Sequence, residues 1–136
     1  MTTATTASLL NQDSMLLRLQ IIGYENPSAT NEHDRAWIRV LCTTEHYPYA
    51  LDISVTATDL HHLSEFLTTP FAEDERFFSF TECGLELQVC APAAGTLACV
   101  ARVTASNDMH FEFSEQVRPA ELAEFKRQLD RAIASL

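Results

Sequence analysis

Glu73-Asp74-Glu75, three consecutive carboxylates, is the densest run of ionisable side chains in the sequence. Acid–base chemistry by paired carboxylates needs one pKa held up and the other down. Three neighbours on one solvated stretch cannot be told apart in that way, so they read as a charged loop and a candidate contact for a positive partner. His61 and His62 are adjacent, with His46 upstream, and none of them pairs with another ligand at a recognisable zinc spacing. The four cysteines, Cys42, Cys83, Cys90 and Cys99, include no Cys-x-x-Cys pair. Three of them fall in predicted strands, where such thiols act as small buried hydrophobes. Gly23, Gly84 and Gly95 stand singly at predicted strand ends, so no glycine-rich loop can cradle a phosphate. Gly-x-Ser-x-Gly and His-Glu-x-x-His do not occur. The expectation is a non-enzymatic domain with no catalytic residues, no cofactor and no metal.

Charge gives the next constraint. The chain has 136 residues and a net charge of −10, a size that suits one domain. From Met1 to Val117 there are 16 acidic and 5 basic side chains; from Arg118 onward there are 3 and 4. The acidic excess therefore lies outside the C-terminal segment. Its concentrations, Glu25, Glu32 and Asp34 in one polar loop and Glu73, Asp74 and Glu75 in another, are the candidate partner-binding residues. Such a balance repels nucleic acid and anionic membrane and favours a basic protein partner. No apolar run reaches the roughly 18 residues of a membrane span. The N-terminal stretch has no Lys or Arg before Arg18, unlike a secretory or transit peptide, which implies a cytoplasmic protein.

These residues must be positioned by elements legible from periodicity. Residues 1–14, rich in Thr, Ala and Ser, read as an N-terminal arm anchored by Leu9 and Leu10, which could dock on the domain or on a second subunit. Residues 15–136 read as a single domain. Alternation predicts strands at Met15–Gly23, Ala36–Thr44, Tyr49–Ala57, Arg76–Thr81, Leu85–Ala91, Thr96–Ala105 and from Met109. Leu16 and Ile22 interrupt the polar face of the first. Trp37, a lone large aromatic, is expected in the core. A helix capped by Asp59 or Thr58 carries Leu60, Leu63, Phe66 and Leu67 and stops at Pro70. A second, opened by Arg118-Pro119, carries Leu122, Phe125, Leu129, Ile133 and Leu136. The order β-β-β-α-β-β-β-β-α implies an α+β fold, an antiparallel meander of about seven strands whose apolar face is packed by two helices. An offset of 59 residues places Leu63 on Leu122 and Phe66 on Phe125. That offset suggests an internal duplication in which each half offers a meandering sheet with one helix to cover it.

The order of these features resembles the WapI-like bacterial immunity proteins and related uncharacterised domains. The resemblance is carried by Gly23-Tyr24-Glu25-Asn26-Pro27, Asp34-x-x-Trp37-Ile38-x-Val40 and Leu60-x-x-Leu63-x-x-Phe66-Leu67. It continues through Glu82 before Leu85-x-Leu87, then Gly95, then Phe111-x-Phe113 ahead of Leu122 and Leu129. The chain departs from it at Ser114-Glu115-Gln116-Val117-Arg118-Pro119, where an Asp-Gln-type segment is expected before the helix. The resemblance implies an immunity protein that neutralises the C-terminal toxin of a contact-dependent inhibition system, with a toxin nuclease domain as one such basic partner. It implies no particular binding residues. Two other readings stay open from the residues themselves: a homo-oligomeric structural or adaptor protein assembled through the N-terminal arm, and a small-ligand-binding domain with a pocket between sheet and helices.

Overall fold

The computed structural model describes residues 6–12, 14–24, 37–45, 47–68, 76–80, 84–93, 96–104 and 110–136. The chain makes two runs of four strands, each closed by a helix. The first run is β1 (Thr6–Asn11), β2 (Ser14–Tyr24), β3 (Trp37–Thr44), β4 (Tyr47–Thr56) and α1 (Ala57–Thr68). The second is β5 (Arg76–Ser79), β6 (Gly84–Ala93), β7 (Thr96–Thr104), β8 (His110–Val117) and α2 (Pro119–Ala134). Each run of strands is its own antiparallel sheet in chain order, β1-β2-β3-β4 and β5-β6-β7-β8. The fold is α+β.

The expectation of about seven antiparallel strands and two helices is close to what is found: eight strands, divided into two four-stranded sheets with α1 between them in the chain. The eighth strand is β1, drawn from the stretch read as an arm. Its alternation rests on Ala7 and Leu9, both buried, against Ser8 and the 37% exposed Leu10. The duplication survives in element order, since each half is four strands and a helix. Packing, however, is not half by half: α2 follows β8 yet lies along β1 of the other sheet.

One face of each sheet is apolar for the usual reason that successive strand residues point to opposite sides. Leu17, Leu19, Ile21, Ile38, Val40 and Ile53 fill the inner face of the first sheet, and Leu85, Leu87, Val89, Cys99 and Val103 that of the second. They join one core with Leu60 and Leu63 of α1 and Phe125 and Leu129 of α2. Burying each such side chain stabilises by roughly 1.5–3 kcal/mol. The two residues that break the alternation of β2 are bulges. Leu9 pairs Leu17 while Leu10 pairs Met15, leaving Leu16 as an extra residue turned into the core. Ile21 pairs Val40 while Gly23 pairs Arg39, leaving Ile22 extra and 47% exposed. Gly23 takes φ +134° beside that second bulge, a backbone setting that side chains resist even where space is open.

The helix starts are fixed by reciprocal hydrogen bonds. The cap of α1 is Thr56, one turn earlier than expected. Thr56 Oγ1 accepts from the Asp59 N–H at 3.1 Å, and Asp59 Oδ2 accepts from the Thr56 N–H at 3.2 Å, the capping-box arrangement. At α2, Glu121 reaches back to accept from the Arg118 N–H at 2.9 Å. The two helices are tied together where Ser64 of α1 donates to Asp130 of α2, which also meets Lys126 Nζ at 2.5 Å. Shielding from water pushes the Asp130 carboxyl up, but the bonds from Lys126 and Ser64 outweigh it and hold the group below its ordinary range.

Candidate protein-binding surface

All six candidate contact residues, Glu25, Glu32, Asp34, Glu73, Asp74 and Glu75, lie outside the described residues. What the structure displays are the outward faces of the two sheets, where strand pairing fixes the spacing of the side chains each face offers.

On the first sheet, Arg39 and Asp52 form an exposed pair, with Arg39 Nε and Nη2 each 2.8 Å from Asp52 Oδ2. Arg18, Gln20 and Leu41 share this face by register, with Ile22 at the bulge. Trp37 is partly buried here rather than in the core, because the inward positions of β3 belong to Ile38, Val40 and Cys42. Phe66 of α1 instead packs toward the second sheet, its ring 5.6 Å from that of Phe78, which meets Phe80 edge-on at 5.2 Å.

On the second sheet, β5, β6, β7 and β8 bring two rows outward. Phe77 pairs Gln88, which pairs Val100; Glu86 pairs Arg102, which pairs Glu112. Arg102 Nε and Nη2 both sit 2.8 Å from Glu112 Oε2, whereas Arg102 Nη1 is 3.7 Å from Glu86, beyond hydrogen-bond reach. Phe77 is 65% exposed, more than any other large hydrophobic side chain described. These side chains bound a shallow depression of about 60 Å³, far below the roughly 300 Å³ of a small-molecule pocket. The geometry suits a protein surface.

The sequence pointed past this face. Arg76-Phe77-Phe78-Ser79-Phe80 is apolar at neighbouring positions, so alternation alone cannot say which phenylalanine turns outward. In the sequence Glu86, like Glu82, stands out as a carboxylate beside a strand but with no nameable partner, and Arg102 and Glu112 read only as the polar half of alternating strands. The acidic run 73–75 directly precedes β5 in the chain, which is the nearest thing to a sequence signal for it.

His61 and His62 are exposed on α1. Cys42 and Cys99 are buried thiols, and burial pushes the Cys99 thiol up to about 12. Among the described residues no three His, Cys, Asp or Glu converge as a metal site requires, and no helix is long and apolar enough to cross a membrane.

Compared with known proteins, the chain matches the Immunity protein WapI-like family over residues 8–136. No curated protein matches it. Among solved structures it is similar to the crystal structures of trypanosoma bruciei MRP1/MRP2, at 13% identity, over 95% of this chain and 81% of that one, with a TM-score of 0.44. The family match runs from the middle of β1 to the last residue, taking in both sheets and both helices. The chain belongs to the WapI-like immunity protein family.

Proposed function

We propose that this protein is an immunity protein that binds a cognate basic toxin and neutralises it without catalysis, its acidic surface guiding encounter and obstructing the toxin's own cleft. The observation that carries this reading is the family match across residues 8–136. The net charge of −10, with its excess outside the last helix, supports it. Carboxylates ahead of a cationic partner raise the rate of productive collision, and the paired surfaces then resist wrong partners. A nuclease domain is the partner class such a charge fits best, since a nuclease cleft is built to take polyanion. The loops holding Glu25, Glu32 and Asp34 and Glu73, Asp74 and Glu75 are the proposed first points of contact, and the cytoplasm, where a delivered toxin acts, is the proposed location.

Co-expression tests the reading. The C-terminal domain encoded by the neighbouring reading frame should prove to be a toxin, arresting growth alone and being tolerated when this protein is made with it. Arrest unrelieved by the protein overturns the proposal.

A further inference from the structure

The two sheets present outward faces of opposite character. At the outward positions of the first sheet, Arg18 and Arg39 stand against one carboxylate, Asp52. At those of the second, Glu86 and Glu112 share one guanidinium, Arg102. A lone exposed apolar residue on a sheet is ordinary, but Phe77 is not isolated from chemistry. It sits one register row from the carboxylate side of this second sheet, beside Val100 and Gln88, on a surface with a shallow hollow. Glu112 spends one oxygen on both Arg102 contacts, and Glu86 has only the 3.7 Å approach as its ion pair among the described residues. Acceptor capacity therefore remains on this face, held at a fixed spacing by β6, β7 and β8.

We infer that the outward face of the second sheet is where a cationic toxin domain docks, an apolar side chain of the toxin packing on Phe77 while a toxin lysine or arginine bonds Glu86. This rests on the immunity reading above and adds to it a surface, an anchor and a charge partner. An aromatic anchor inside a polar rim is the usual form of an interface hot spot. The exposed Arg102 pairs are weak in water, so exchanging them for a partner's cation costs little.

The test measures binding of the full-length protein to the purified C-terminal domain encoded by the neighbouring reading frame by titration calorimetry. The variants are Phe77→Ser, Glu86→Gln and, on the other sheet, Ile22→Ser. All three positions are solvent-exposed, and unchanged melting curves establish that each variant is folded. Phe77→Ser should weaken binding ~10-fold or more and Glu86→Gln about 5-fold, with a shallower salt dependence for the latter, while Ile22→Ser changes it less than about 2-fold. Phe77→Ser binding as tightly as the unaltered chain would overturn this surface and leave the immunity reading standing. Loss of binding by Ile22→Ser alone would do the same, moving the interface to the first sheet. No binding by the unaltered chain would overturn both. A homodimer of the unaltered chain that Phe77→Ser converts to monomer would overturn the inference by assigning this face to a second copy.

Discussion

The backbone N–H of Ser8 in β1 donates to Gln128 Oε1 in α2 at 2.9 Å, joining residues 120 positions apart. About two turns of helix earlier, and just past the end of β1, the Gln12 N–H donates to Glu121 Oε2 at 2.5 Å. β1 is the edge strand of its sheet, and at Ser8 α2 supplies the acceptor that a neighbouring strand would have supplied. An open sheet edge invites pairing with other chains, and this one is closed by side chains of the last helix. Gln12 itself sits at φ 54° directly after β1, a costly setting outside glycine, and its bond to Glu121 helps hold it there.

Replacing Gln128 by Leu keeps the volume and removes the acceptor, leaving the part-buried Ser8 N–H unsatisfied. The variant should lose ~1–2 kcal/mol in urea unfolding, with an unchanged slope. It should also self-associate more readily at high concentration, as sedimentation would register, because part of the β1 edge is then open. A variant as stable and as monomeric as the parent would refute the assignment of α2 as an edge cover.

Acid should act through the same contact. Burial pushes the Glu121 carboxyl up, yet bonds from the Arg118 N–H, the Arg118 guanidinium and the Gln12 N–H outweigh it, and the group lies below its ordinary 4.5. Its side chain is only 9% exposed. A carboxylate with a lowered folded pKa contributes stability that is present above the unfolded value and lost as pH falls through the folded one. Stability should therefore decline as pH drops below about 4.5. Glu124, held down to about 2 by hydrogen bonds from Arg127 and Gln128, moves in the same direction. In melts across this range Glu121→Gln should be less stable than the parent at neutral pH, with the gap closing in acid. A gap that widens in acid would reverse the sign.

Leu9 and Leu10 make a paired test of β1. Leu9 is 1% exposed and Leu10 37%. Leu9→Ala should cost ~2–5 kcal/mol and Leu10→Ala under about 0.5 kcal/mol, both read from denaturant midpoints. Equal small effects would mean that the strand adds little to the core.

Thiol labelling checks the second sheet. Cys99 is buried, and burial raises its pKa to about 12, so little of the reactive thiolate forms at ordinary pH. Peptide mapping after alkylation should find Cys99 unmodified in the native protein and modified once it is unfolded. Native labelling at Cys99 would contradict the placement of β7.

These contacts also measure what the sequence could disclose. Strands with large residues at every second place, such as Leu85-x-Leu87-x-Val89 and Ile38-x-Val40-x-Cys42, were legible because period two is imposed by the pleat itself. Both helical stripes were legible for the matching reason at period 3.6. β1 was not, since Thr6-Ala7-Ser8-Leu9 alternates in burial but hardly in hydrophobicity. Leu16 and Ile22 registered as breaks in a pattern, but only pairing reveals that one bulge turns inward and the other outward. The second sheet was invisible because alternation fixes which way a residue faces without saying which strands are neighbours. Charge counting located the acidic loops in the chain, but Phe77 could not be separated from Phe78 and Phe80 until β5 was paired with β6.

The most direct measurement of the central claim is the affinity of this protein for the C-terminal domain encoded by the neighbouring reading frame, taken across a series of salt concentrations. An acidic immunity protein predicts a complex of micromolar or tighter affinity whose association rate falls steeply as salt rises. No complex at about 10 µM, far weaker than a specific protein pair needs, would contradict the account, as would a complex indifferent to salt.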